Sequence, residues 1–317
     1  GFHMAVSTSI DFNETLTEII TDALSLIQVA GVGQTISSED YSLSQRALNR
    51  MLKAWQAQGI YLFGQTEGVL VPAASTAQYA MSSASTSANV AVASDFFNTT
   101  LSAAEAAGQT VLSTTSTTNI AVSDKVGITL SDGTVQWTTL SSKTSTTMTV
   151  ADALTGAASS GAYVYSFTTR MDRPVRILSA RTYDPTSTNE TPLTMLSRED
   201  YFSNTPNKLS TGSPTSFYYD PQMTTGQLYV WPVQSTITQI IKFTYQRQIT
   251  DVDATTDNID FPQEWLDAVV YSLAVRLGPF FGKHQEASAL LPLASTFLSN
   301  AMDFDNETVS MTICPGN

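Results

Sequence analysis

Among the acidic residues, Glu67 and Glu264 are the two whose aromatic and apolar neighbours would best suit acid–base work on a glycosidic bond, which needs one carboxylic acid and one carboxylate. An acidic chain offers many such pairs, so spacing alone selects neither. Asp251, Asp253, Asp257 and Asp260 fall in one stretch and raise a calcium loop, but the glycine and closing glutamate of such a loop are missing, and a solvated turn is the plainer reading. Nucleophilic catalysis needs a base beside the serine or cysteine. His3 precedes Met4 in what reads as a cloning remnant, which leaves His284, placed to open the last helix as a surface or capping group. No G-x-S-x-G elbow or phosphate-binding G-x-x-x-x-G-K-[ST] loop occurs, and Gly31-Val32-Gly33 lies between two helical patterns, where it reads as a turn. A single cysteine, Cys314, rules out an intramolecular disulfide and a cysteine zinc site. The sequons at Asn13, Asn98, Asn189 and Asn306 carry meaning only on a secretory route. Tyr218, Tyr219, Tyr229 and Trp231 could form a sugar or partner platform, although alternation on a hairpin divides such residues between core and surface. No catalytic residue, cofactor or metal is expected.

The elements that must carry these residues start from a chain of 317 residues that is 42% apolar, ample for one large domain or two ordinary ones. Charged residues make up only 14%, with Ser, Thr, Ala and Gln in their place, a composition of assemblies and β-rich viral or extracellular proteins. A net charge of −13 opposes a phosphate-gripping surface, because DNA affinity comes largely from Lys and Arg displacing counterions. It is compatible with a conduit through which DNA slides without being held. No run reaches the roughly 18–20 apolar residues of a membrane span, and no basic segment followed by a hydrophobic core marks a cleaved signal.

The segment Phe261 to Gly282 is the strongest local signal. Pro262 suits a first helical position, and Leu266, Val269, Val270, Leu273 and Leu277 recur on one helical face before Gly278-Pro279. Arg276 sits in the last turn, favoured by the dipole. Near the N-terminus, Asn13 or Thr15 caps a helix carrying Leu16, Ile19, Ile20, Ala23, Leu24 and Ile27 on its apolar face. Ser37 or Ser38 opens a second, with Leu48, Met51, Leu52 and Trp55 as its stripe and Gly59 as its end. The pair makes a helical hairpin. Tyr61 to Val71 reads as the first strand.

From about Ala80 to Phe167 the chain is rich in Ser, Thr and Ala, with short runs at 109–112, 119–122, 126–130, 135–140, 148–150 and 162–165. Asp132-Gly133 is a hairpin signal, and strands at this spacing predict a small all-β module. Further strands follow at 175–178 and 240–245, with an aromatic hairpin over 217–232. A last helix runs from about Lys283 to Ala301, with Leu290, Ala294, Phe297 and Ala301 on one side; Pro292 is expected to kink or break it.

Several of these stretches share their wording with one family. Gly31-Val32-Gly33-Gln34, Ser38-Glu39-Asp40 and Leu48-Asn49-Arg50-Met51-Leu52 before Trp55, then Arg173-Pro174, the 193–201 segment, Tyr218-Tyr219-Asp220, Leu228-Tyr229-Val230-Trp231-Pro232 and the Pro262 helix resemble the head-to-tail adaptors of short-tailed phages, also called tail accessory factors or packaged-DNA stabilisation proteins. The likeness covers residues 16–71 and 173–301. It implies a virion structural protein of the neck, made in the host cytoplasm. Such a protein docks as a ring, commonly dodecameric, beneath the portal, and can remain monomeric when free. The ring extends the DNA channel without specific DNA binding, retains packaged DNA and receives tail components such as nozzle, needle or fibres.

The fold expected is α+β: an antiparallel helical bundle of two αα-hairpins with a β-hairpin and sheet region, plus an inserted small all-β domain. Its divisions are 4–80, 81–167, 168–302 and a tail at 303–317. Trp55, Trp265, Phe297, Met311 and Ile313 are the expected partner-binding residues. The competing readings are a tail-associated peptidoglycan-degrading enzyme and a carbohydrate or host-surface binder acting through the inserted module.

Overall fold

The computed structural model describes residues 12–31, 33–58 and 62–305. The described residues divide into two compact units: those up to Gly64 together with those from Ile249 onward, whose regular elements are helices, and Gln65–Gln248, which is mainly β. The fold is therefore α+β, with more of its described residues in strands than in α-helices.

In the helical unit, α1 (Leu16–Leu26) begins with a reciprocal cap in which the Thr15 hydroxyl accepts from the Glu18 amide and the Glu18 carboxylate accepts from the Thr15 amide. Its stripe of Leu16, Ile19, Ile20, Ala23, Leu24 and Ile27 is fully buried. Ser37 caps α2 (Ser38–Gln58), accepting from the Asp40 amide at 3.1 Å, and Ala47, Leu48, Met51, Leu52 and Trp55 face inward. Pro262 leads through a 3-10 turn, Gln263–Trp265, into α3 (Leu266–Leu277). Helix α3 is buried over more than one stripe because it packs against α1, α2 and the last helix, α4 (His284–Phe304). Helices distant in sequence thus share one core.

Helix α4 is not broken at Pro292, the stronger of the two outcomes expected there, and it ends three residues later than the pattern indicated. Proline removes one i→i−4 bond, and the rest of the ladder, with side-chain packing on α3, holds the helix together. Its buried seam consists of alanines, Ala287, Ala294 and Ala301, while Leu290, Phe297 and Leu298 are partly buried beside it.

The β unit contains two sheets. Strands β1 (Gln65–Leu70), β2 (Gln78–Met81), β3 (Val90–Val92), β10 (Arg176–Tyr183), β11 (Glu190–Met195), β12 (Ser216–Asp220), β13 (Gly226–Trp231) and β14 (Ile240–Gln246) form an eight-stranded sheet in the order β2-β13-β12-β11-β10-β14-β1-β3. Its pairs are antiparallel except β11 with β12. All eight strands send side chains into one core, and the 82–89 connection links the two edge strands, with the Ala88 amide donating to Ala80 O at 2.8 Å. The sheet is therefore curled around its own interior.

The second sheet has the order β4-β9-β6-β7-β8-β5, from β4 (Phe96–Thr100), β5 (Val111–Ser113), β6 (Lys125–Thr129), β7 (Val135–Lys143), β8 (Thr147–Val150) and β9 (Tyr163–Phe167). Asp132-Gly133 does turn β6 into β7: Gly133 has φ 83° and the Asp132 carboxylate accepts from the Thr134 amide. Three expectations differ. Residues 78–81 and 90–92 pair with β13 and β1, so the first part of the Ser/Thr-rich stretch belongs to the larger sheet. The 119–122 run is a turn, with positive φ at Asn119 and Ser123 and only Ile120 buried. The first strand begins at Gln65, after a 3-10 turn at Leu62–Gly64, and Tyr61, where it was expected to start, lies outside the described residues.

Candidate functional site

Of the two glutamates with catalytic potential, Glu67 is committed to the fold. Glu67 on β1 forms an ion pair with Arg181 on β10; Arg181 Nε also reaches Glu190 on β11 at 2.6 Å, and Lys242 on β14 meets Glu190 at 3.1 Å while lying 3.7 Å over the Tyr183 ring. Burial acts to raise the Glu190 pKa, but hydrogen bonds from Lys242 and Arg181 outweigh it and hold the carboxyl below its ordinary value. Across the neighbouring strands β11, β10, β14 and β1 the two acids thus flank the two cations, and the four charges balance. Glu264 is exposed in the 3-10 turn of the helical unit.

The aspartate loop is explained the same way. Asp257 accepts from the Asp253 and Ala254 amides, Asp260 from the Thr250 amide, and Asp251 pairs with Lys53 of α2 at 2.8 Å. Among the described residues no group of three or more His, Cys, Asp or Glu is placed to hold a metal ion. His284 is exposed at the start of α4.

The loop is read by one face of α2. Gln45, Asn49, Lys53 and Gln56 recur at helical spacing and bond the backbone of 249–253. Asn49 makes two bonds to Val252, accepting from its amide and donating to its carbonyl, both at 3.0 Å. Asn49 belongs to the Leu48–Leu52 motif, and this pairing is the physical demand behind it.

The aromatic hairpin splits as alternation requires. Tyr219 faces the sheet interior and donates to Pro174 O at 2.7 Å, and burial raises its hydroxyl pKa. On the opposite face Tyr218 and Tyr229 stack at 5.7 Å and join Tyr201 and Phe202. Arg198 lies 5.2 Å over Phe202 and pairs with Asp220 at 2.9 Å. The Trp231 indole donates to Asn207 O at 2.8 Å. The cluster pins the 197–209 segment onto the hairpin and leaves Phe202 41% exposed.

Of the residues expected to meet partners, Trp55 and Trp265 are 4% and 1% exposed and meet in the helical core with their rings tilted by 55° at 5.8 Å. Phe297 is half-buried against Tyr271 at 4.9 Å, and Met311 and Ile313 lie outside the described residues. The edge of Trp55 nevertheless lines a groove of about 260 Å³ with Arg276, Leu291, Ala294 and Leu298, beside a second hollow of about 240 Å³ formed by Ala47, Arg50, Arg276 and Phe280. Leu291 and Phe280 are 56% and 55% exposed. Leu291 lies outside the predicted α4 face of Leu290, Ala294, Phe297 and Ala301; the signal that points to it is an apolar girdle wider than one stripe.

A cluster of acids lies on α1 and α3. Glu14 Oε2 is buried without a hydrogen-bond partner among the described residues, and burial first, then the charges of Asp22, Glu18 and Asp267, raise its pKa above 4.5. A raised folded-state pKa means that the ionised form weakens the fold above that range, and the penalty disappears as pH falls below 4.5. Glu14→Gln should therefore raise Tm near pH 7, with the gain vanishing by about pH 4, in thermal melts across pH. A gain independent of pH would assign the effect to something other than charge.

Glu67, Glu190, Asp251, Asp257 and Asp260 are each held by partners within the fold, and the helical unit carries an open, largely apolar groove. The sequence matches the family model described as SU10 adaptor protein over residues 14–310, and the chain belongs to that family of phage adaptors. The likeness to head-to-tail adaptors read from the helical and hairpin motifs is borne out, and the matched span runs through the Ser/Thr-rich stretch as well. Comparison with curated proteins found no match. Among the described residues no helix is long and apolar enough to cross a membrane.

Proposed function

We propose that this phage structural adaptor docks beneath the portal as a ring of copies of itself, extends the DNA channel, helps retain packaged DNA and offers its distal side to tail components. The family match over residues 14–310 is the observation that carries the reading. The charge of −13 supports a passage that does not grip phosphate. The open groove of Trp55, Arg276, Leu291 and Leu298 supports lateral contact between subunits, since exposed apolar surface rimmed by polar groups is typical of interfaces. Phe297 on α4, and the tail with Met311 and Ile313, are assigned to the portal side.

Mixing the chain with its portal and imaging the product by electron microscopy tests the proposal; absence of a ring on the portal would refute it. Leu291→Asp separates assembly from folding. The side chain is 56% exposed, so stability should change by no more than about 0.5 kcal/mol, whereas ring formation should be lost. Normal rings from this variant would remove the groove from the subunit contact.

A further inference from the structure

In the β unit, a pocket of about 320 Å³ opens where the 71–89 segment of the larger sheet meets β7 of the smaller one. Its volume is within the usual range of small-ligand sites. Thr76, Gln78, Thr86, Ser87, Asn89 and Trp137 line it together with small apolar residues and Tyr79, and no Asp, Glu, Lys, Arg or His takes part.

The lining has a definite chemistry. Trp137 rests on Gly127 of the paired strand, where a Cβ would come within 2.8 Å of the indole, and lies 5.4 Å from Phe167. The glycine thus fixes the indole as a half-buried wall. Arg170 Nη2 donates to Asn89 Oδ1 at 3.1 Å, which orients the amide and leaves its NH₂ unused among the described residues. Gln78 donates to Gln227 Oε1 at 3.0 Å, which likewise leaves its own oxygen free to accept. An aromatic wall facing amide donors and acceptors and hydroxyl groups, without charge, complements a ligand with one apolar face and a rim of hydroxyls. A chain of net charge −13 also disfavours an anionic ligand.

We propose that this pocket binds a neutral pyranose ring of a glycan, with its C–H face against Trp137 and its hydroxyls on Asn89 and Gln78. This function is separate from docking to the portal and does not rest on it.

The test uses the full chain, titrated with glucose, galactose, mannose, rhamnose, N-acetylglucosamine and, as a charged comparison, glucuronate. Tryptophan fluorescence and saturation-transfer NMR report binding. At least one neutral sugar should bind saturably in the millimolar range, and its affinity should fall at least tenfold in Gln78→Ala, Asn89→Ala and Trp137→Phe. Gln78 is exposed, so Gln78→Ala keeps the test decisive should the other variants fail to fold. No saturable binding by any neutral sugar, binding unchanged in Gln78→Ala, or tighter binding of glucuronate than of every neutral sugar would each overturn the proposal.

Discussion

Trp265→Ala should cost about 3–5 kcal/mol and unfold the helical unit well below the wild-type transition, read by far-UV circular dichroism during a thermal or urea melt. Trp265 is 1% exposed where the 3-10 turn enters α3, so its indole joins the entry of α3 to α2. It meets Phe261 at 5.4 Å, Trp55 at 5.8 Å and Phe63 at 5.8 Å, and Phe63 meets Phe261 at 5.0 Å. Truncation would open a cavity among rings that lie on different parts of the backbone, which cannot collapse together without moving α2 against α3. Trp265→Phe keeps an aromatic edge and should lose less. The effect should appear in the isolated chain, before any partner is added. An alanine variant with wild-type stability but defective docking would return Trp265 to the role of a contact residue.

The helices were legible where short-range rules suffice. The Thr15–Glu18 cap, the α1 stripe and the Pro262 start are each decided within a few residues, and the structure follows them. Failures cluster where the deciding partner is far away. Residues 78–81 and 90–92 look like their Ser/Thr-rich neighbours, but strands more than a hundred residues on claim them in one case and β1 in the other. The 119–122 run has the alternation of a strand; Asp124 instead accepts from the Ala121 amide and closes a turn. The expectation that Trp55 and Trp265 meet partners rests on residue type, whereas their burial is decided by ring contacts with each other and with Phe261, and Trp55 is far from the other two in sequence. At Pro292, the local rule against proline lost to packing along the rest of α4.

The surfaces were less legible than the elements. The glutamates with aromatic neighbours invited a hydrolase reading, but Glu67 is engaged by Arg181, whose guanidinium also holds Glu190, a network spread over strands from both ends of the β unit. Nothing in the spacing of these residues announces it. The groove of the helical unit is equally nonlocal, with Trp55 of α2 completing a wall built from α3 and α4.

Asn49→Leu tests the least conspicuous of these long-range demands. The substitution preserves helix propensity and volume, yet Val252 is 1% exposed and its N–H would lose its only acceptor among the described residues, whereas its carbonyl keeps Gln45 as donor. One buried, unsatisfied N–H costs about 1–3 kcal/mol, and a fall in urea midpoint of that size with unchanged m-value is the expected result. Asn49→Asp separates the two bonds: the carboxylate still accepts from the Val252 amide but loses the donation to its carbonyl, so it should fall between wild type and leucine. If Asn49→Leu is neutral, the 249–253 segment is held by its apolar anchors Ile249 and Val252 alone, and the polar face of α2 only accompanies that packing.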